Sequence, residues 1–234
     1  MITLPPSGFT KRKGAIAPVF VSLTSSVLGT GNNTVVMTKP AGVTSGDLMV
    51  FIFWSNGTPT VTQPGGWTVP YDATATLEGR NHRYYVAYKR AGAGEAASYT
   101  WTLGGGSDAK GGVLLAYRPS GSTQLDLSVV QNPVGTTSAT HAMATSSTTY
   151  ANSTLVYAWL FQRVGNSAVG SIAVAPSGMT QRYYADHAAA SDADAAIAVY
   201  DEIRTAAGAV GVKTLTTTNS DISSMGVRLA LRGS

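Results

Sequence analysis

The sequence predicts an all-β protein built from two related halves, and three observations lead there. Short runs rich in β-branched and aromatic residues recur along the chain, each bounded by Gly, Pro, Asn or Ser. Charged residues are only 12% of the chain while hydrophobic ones are 44%. That charge fraction is about half the ~25% usual for globular proteins, so the chain buries a large core, presents a large interface, or does both. Finally, a set of features in the first half recurs in the same order in the second.

Residues 1–18 carry Pro5, Pro6, Lys11, Arg12, Lys13 and Pro18, with little that could form a core. We read them as an N-terminal docking arm. Pro-rich backbone leaves hydrogen-bonding groups free for a neighbour, and Lys11, Arg12 and Lys13 are the candidate partner-binding residues, suited to an acidic surface. Two sheet-forming halves follow, at 19–122 and 123–234, as one composite sandwich or as two packed lobes.

Within the first half, Leu48-Met49-Val50-Phe51-Ile52-Phe53-Trp54 is a continuous apolar run after the turn-like Ser45-Gly46-Asp47. Its length and its β-branched and aromatic content predict a central strand covered on both faces. Arg83 to Lys89 and Tyr99 to Leu103 alternate, as half-exposed strands do. Gly111 to Tyr117, "GGVLLAY", reads as another buried strand. In the second half, the Ala-rich stretch from Ala188 to Ala198 reads as a loop or short helical turn leading into the strand Ile197-Ala198-Val199-Tyr200.

The repeat pairs "DLMVFIFW" with "TLVYAWLF", "PGGWT" (Pro64–Thr68) with "PSGMT" (Pro176–Thr180), "RYYVAYKRAGAG" with "AAIAVYDEIRTAAGAVG", and "GGVLLAYRPSG" with "MGVRLALRGS". The spacing between partners drifts by a few residues, as small loop insertions after a duplication would produce. Leu48 is thereby expected over Leu155, and Gly112 over Gly226. In the repeated turn, Pro fixes φ and the following Gly permits a positive φ. The chain reverses and drops Trp67 or Met179 onto the sandwich as a core plug. The sharper alternative makes Trp67 a sugar-stacking platform, but Met179 at the matched position is a better core filler than a platform.

Catalytic chemistry finds little purchase. The chain has no cysteine, which removes disulfides, a thiolate nucleophile and Cys-based zinc sites. Its three histidines, His82, His141 and His187, sit in no metal-ligand spacing. His82 reads as a solvated residue between Arg80 and Arg83, His141 lies in a strand, and His187 lies in an Ala-rich loop. Glu78 and Glu95 could in principle flank a sugar, but nothing brings them together. Asp192-Ala193-Asp194 offers half a calcium site without the Gly-punctuated loop. No Ser sits in G-x-S-x-G. The expectation is a protein that is not an enzyme and uses no cofactor or metal.

Net charge is +4. One three-residue basic run is no nucleic-acid stripe, so no specific nucleic acid is expected. No apolar run suits a signal-peptide core or a membrane helix, so no membrane partner is expected. The Asn-x-Thr triplets at Asn32, Asn56 and Asn152 then read as turn-rich sequence.

The ordered set Pro40, Gly42, Val43, Gly46, Asp47, Leu48, then Pro64 and Trp67, then Tyr88, Lys89, Ala91, Gly94, Glu95, Tyr99, Thr100 and Trp101, then Gly111, Gly112 and Tyr117 resembles a β-sandwich module of tailed-bacteriophage virion proteins. Similar modules occur in bacterial surface proteins. "TTYANSTLV", "PSGMTQRY", "AAGAVGVKT" and "GVRLALR" resemble the family's companion half, so the likeness spans roughly residues 35–232. It implies a jelly-roll-like antiparallel sandwich of two halves, each of about six or seven strands. It also implies a structural virion protein, in capsid decoration or a tail, assembled in the host bacterial cytoplasm. Its partners would be other virion subunits and copies of itself. Fold alone does not fix function. The alternative is a host-attachment or carbohydrate-binding module for a host surface glycan, with the paired tyrosines Tyr84, Tyr85, Tyr183 and Tyr184 as stacking faces. Strand alternation should bury one member of each pair.

Overall fold

The computed structural model describes residues 16–28, 31–77, 79–105, 110–120, 125–126, 132–134, 137–148, 150–163, 169–187 and 195–232. Among them every regular element is a strand. The first half contains β1 (Val19–Leu28), β2 (Thr34–Thr38), β3 (Leu48–Asn56), β4 (Thr60–Thr62), β5 (Thr68–Leu77), β6 (Arg80–Arg90), β7 (Ser98–Gly104) and β8 (Lys110–Arg118). The second contains β9 (Leu125–Asp126), β10 (Asn132–Val134), β11 (Thr140–Met143), β12 (Ser146–Thr148), β13 (Ser153–Arg163), β14 (Ile172–Val174), β15 (Thr180–His187), β16 (Ala195–Arg204), β17 (Gly208–Val210), β18 (Lys213–Thr217) and β19 (Ile222–Arg232).

The first half pairs as a five-stranded sheet, β1-β8-β3-β6-β5, and a three-stranded sheet, β2-β7-β4. Successive strands swing between the two sheets, except for the β5–β6 hairpin, and this is a jelly-roll order. The second half has a large sheet β10-β19-β13-β16-β15, with β9 also on β19, and a small sheet β11-β18-β14; β12 and β17 form a separate pair. Among the described residues all pairings are antiparallel apart from one isolated bridge between Gly57 and His82.

Alternation along the strands fills three cores. Met49, Phe51 and Phe53 of β3 point to the small sheet of their own half, where they meet Val35, Met37, Tyr99, Trp101 and Leu103. Leu155, Tyr157, Trp159 and Phe161 of β13 do the same in theirs, with Met143 and Leu215. The intervening residues, Leu48, Val50, Ile52 and Trp54 on one side and Val156, Ala158 and Leu160 on the other, join one central core between the two large sheets. The layers therefore stack as small sheet, large sheet, large sheet, small sheet. β3 and β13 are covered on both faces, which is why they read as unbroken apolar runs rather than as alternating ones.

Polar bonds cross the central layer as well. The Tyr117 hydroxyl donates to Asp201 Oδ2 at 3.1 Å, and Arg182 Nε donates to the same oxygen at 2.8 Å. The Arg182 guanidinium also lies 4.4 Å from the centre of the Phe20 ring. Thr154 Oγ1 donates to the Pro18 carbonyl at 2.5 Å. Burial, with the Asp201 carboxylate beside it, pushes the Tyr117 hydroxyl well above its ordinary pKa.

Several expectations are corrected here. Leu48 faces the central core and Leu155 an outer one, so the two are out of phase; the residue of β13 in phase with Leu48 is Thr154 or Val156. A one-residue slip in a strand moves a side chain to the other face, and the apolar run gave no marker of phase. Gly112 and Gly226 do correspond in their pairing: Gly112 lies opposite Phe53, and Gly226 opposite Trp159. Among the described residues the first half has eight strands and the second eleven, more than the six or seven or so expected of each. β6 is longer than its alternating segment suggested and is largely buried rather than half-exposed, while β7 alternates as expected. In the Ala-rich stretch the strand begins at Ala195; residues 188–194, and with them Asp192 and Asp194, lie outside the described residues.

Candidate functional site

Lys11, Arg12 and Lys13 lie outside the described residues, as does Glu78. Of the two tyrosine pairs, the first supplies no stacking face. Tyr84 and Tyr85 are both buried, at 2% exposure each. Alternation sends them to opposite faces of β6, but both faces are covered, one by the central core and one by the outer core. Tyr183 and Tyr184 are half-buried; one packs on the central core and the other on the outer core, where its hydroxyl bonds the Gly170 carbonyl.

Trp67 is a plug. It is 5% exposed, and its ring meets Tyr99 edge-on at 5.2 Å and Trp101 at 5.0 Å. Gly66 and Gly178, in the two matching turns, have φ of 81° and 74°, the backbone that lets the chain reverse ahead of Trp67 and Met179. Met179 packs against the corresponding outer core.

His82 and His141 are buried rather than poised at a surface. His82 is in β6, not in a solvated loop, and is 1% exposed, with no hydrogen-bond partner for Nε2 among the described residues. Burial, with Arg80 adding to it, lowers its pKa to about 4 against the opposing backbone bond at Leu77. His141 in β11 is fully buried; its Nδ1 lies 2.9 Å from Ser224 Oγ and its Nε2 3.1 Å from Thr217 Oγ1. The Thr217 hydroxyl donates its proton at 2.8 Å to the Asn219 carbonyl. It therefore accepts from Nε2–H, and Nδ1 accepts from Ser224. Burial lowers the pKa of His141 to about 4. His187 closes strand β15 rather than lying in a loop. No group of three or more metal-ligating side chains occurs among the described residues.

The charged residues of the sequence motifs work as clasps for turns. Asp47 is 2% exposed and accepts two bonds from Arg118, from Nε at 3.0 Å and Nη2 at 2.9 Å, and one from the Thr44 backbone at 2.8 Å. Burial alone would raise its pKa; these donors outweigh burial and hold it below the ordinary value. Glu95 likewise takes Lys89 Nζ at 2.5 Å and the Gly92 backbone N–H at 2.7 Å. Positive φ at Gly42 and Gly46, 75° and 93°, shapes the loop that Asp47 closes.

An open cleft lies at the root of the N-terminal segment. Ile16 is tied to the end of β8 from both sides: its N–H donates to Ser120 Oγ at 3.3 Å, and that hydroxyl donates back to the Ile16 carbonyl at 3.0 Å. Beside this tie lies an apolar cleft of about 610 Å³ lined by Ile16, Val19, Phe20 and Val21, with Arg118 and Pro119. A second, polar cavity of about 310 Å³, lined by Thr44, Ser45, Gly46 and Arg90, shares Arg118, Pro119 and Ser120 with it. Ile16 and Val19 are exposed, at 48% and 56%. Sequence reasoning placed the arm next to this region but missed the cleft. Its walls come from residues far apart in the chain, and the only sequence trace of its polar end is the pairing of Asp47 with Arg118.

No protein-family model, no curated protein and no solved structure matches this chain.

Proposed function

We propose that this chain is a non-enzymatic structural protein of a tailed-phage virion, serving in capsid decoration or in a tail and assembling through its N-terminal arm and the sandwich surface at the arm's root. The motif resemblance supports the virion assignment. The observation that carries the assembly reading is the fixed root at Ile16, locked to Ser120 beside an exposed apolar cleft. A segment leaving from such a root starts at a defined point, which lowers the ordering cost of docking. The corresponding strand orders of the two large sheets and of the two small sheets support reading the halves as copies of one unit. Of the stacking platforms of the host-attachment alternative, Trp67, Tyr84 and Tyr85 are interior residues.

The test is deletion of residues 1–14, followed by co-sedimentation with particles lacking the protein and circular dichroism of the truncated chain. The truncation is expected to fold and to attach more weakly. Undiminished attachment by a folded truncation would overturn the role of the arm.

A further inference from the structure

We infer that the chain binds a second copy of itself head to tail, with the outer face of the small sheet in the first half of one copy seated on the outer face of the small sheet in the second half of the next. The inference goes beyond the arm reading, because these faces belong to strands that take no part in the arm's root.

The first face is made of β2, β7 and β4, whose sequences contain no charged residue. Alternation turns Met37, Trp101 and Leu103 inward and leaves mostly hydroxyl-bearing side chains outside. β7 exposes Ser98, Thr100 and Thr102, and β2 exposes Thr34, Val36 and Thr38 opposite them. β4 adds two more exposed threonines. Val36, 51% exposed, is the apolar side chain among these hydroxyls.

The second face is made of β11, β18 and β14, at the opposite end of the four-layer stack. It too carries hydroxyls: Thr216 lies between Thr140 on one side and Val174 on the other. Here β14 ends at Val174 and the chain turns away through Pro176, beside a recess of about 450 Å³ lined by Val174, Ala175, Val212, Thr214 and Thr216. Val174 and Val212 are exposed, at 59% and 55%. Lys213 also lines the recess, and its charge is met by Glu202 Oε2 at 2.6 Å, with the Ser177 carbonyl at 3.4 Å.

A valine on one face and a valine-walled recess on the other are complementary. Neither face offers an ionic partner a charge to pair with, and neither repels the other. Threonine hydroxyls both donate and accept, so facing rows satisfy one another as the valine is buried. Sheets stacked face to face lie about 10 Å apart, and such a contact continues the layering already inside the molecule. Each copy would keep one face unused, so the contact is heterologous and propagates rather than closes. Each face has fewer outward side chains than the ~20–30 residues a side of a standard interface, so free copies associate weakly. On the assembly reading, arms that hold copies side by side raise their effective concentration and strengthen the contact.

The test is sedimentation velocity of the full-length protein up to about 1 mM, at low and high salt. Association should grow with concentration and be insensitive to salt, because the contact contains no intermolecular ion pair. Val36→Asp and Val212→Asp, with folding checked by circular dichroism, should each weaken self-association at least about tenfold by forcing an unpaired carboxylate into the contact. Mixed together, the two variants should form a heterodimer and nothing larger, since each brings the face that the other lacks. Val27→Asp, at an exposed valine of β1, should change nothing. A folded wild type that stays monomeric throughout, a face variant that associates as the wild type does, or a mixture that stays monomeric would each overturn the inference. The arm reading is decided separately, by particle attachment of the truncated chain, and either can fail without the other.

Discussion

Lowering the pH should unfold this protein through its two buried histidines, in a window set by their pKa values. An unfolded histidine titrates near 6.5, whereas His82 and His141 are held down to about 4. Between these values the unfolded chain binds protons that the folded chain refuses, so stability rises with pH across the window and is lost as pH falls from about 6.5 to about 4. At 1.36 kcal/mol per pH unit, each histidine contributes roughly 3 kcal/mol, and the pair about twice that. A loss of this size is comparable with the whole stability of many domains, about 5–15 kcal/mol. Structure gives the reason for the reluctance. His141 Nδ1 can take a proton only if the Ser224 hydroxyl turns away from it, and a charged His82 would lie in the central layer close to Arg80 and the Tyr84 ring. The carboxylates act elsewhere on the scale. Asp47, Glu95 and Asp221 are held below their ordinary values, so their contribution fades only at lower pH. Urea unfolding followed by tryptophan fluorescence, at a series of pH values from 7 to 4, measures the slope. His82→Leu and His141→Asn should each lower it from two protons toward one. Stability that stays flat between pH 6.5 and 4.5, or variants that fold and keep the full slope, would refute the reasoning.

Trp67→Ala should cost on the order of 3–5 kcal/mol by emptying a site among Tyr99 and Trp101, seen as a melting temperature lowered by about 10 °C or more; an unchanged melting temperature would remove Trp67 from the core. Gly112→Ala and Gly226→Ala should differ. An added Cβ at Gly112 would lie 2.7 Å from the Phe51 ring, itself stacked on Trp101 at 3.9 Å, whereas at Gly226 it would meet the end of Met143 at 2.5 Å. Overpacking against the fixed ring should cost about 1–3 kcal/mol, and the flexible methionine should yield for less; calorimetry showing the reverse order would contradict this packing.

The strands were legible in the sequence because their residues announce them. Leu48 to Trp54 suits a strand covered on both faces better than a helix, and "PGGWT" and "PSGMT" carry the positive-φ glycines that their turns use. Phase was not legible. A run without polar residues does not say which face is which, and so Leu48 was matched to Leu155 instead of to a neighbour. Burial of polar residues was not legible either. His82 sits between an asparagine and Arg83, and Arg83 leaves the interior by pairing with Asp72 at 2.5 Å, while His82 points into the central layer that only the second half creates. The reading of Tyr84 and Tyr85 failed because alternation was judged against a sheet with one wet face, and both faces of β6 are covered there. The cleft at Ile16 depends on β1, β8 and the Thr44–Asp47 turn meeting in space, and no local pattern encodes that meeting.

The central proposal, that this is a structural component of a virus particle, is tested most directly by the composition of purified virions of any phage whose genome encodes the chain. Quantitative mass spectrometry of gradient-purified particles, with immunogold labelling to place the protein, should find it at a fixed multiple per particle on the capsid or the tail. Its absence from intact, infectious particles would contradict the account.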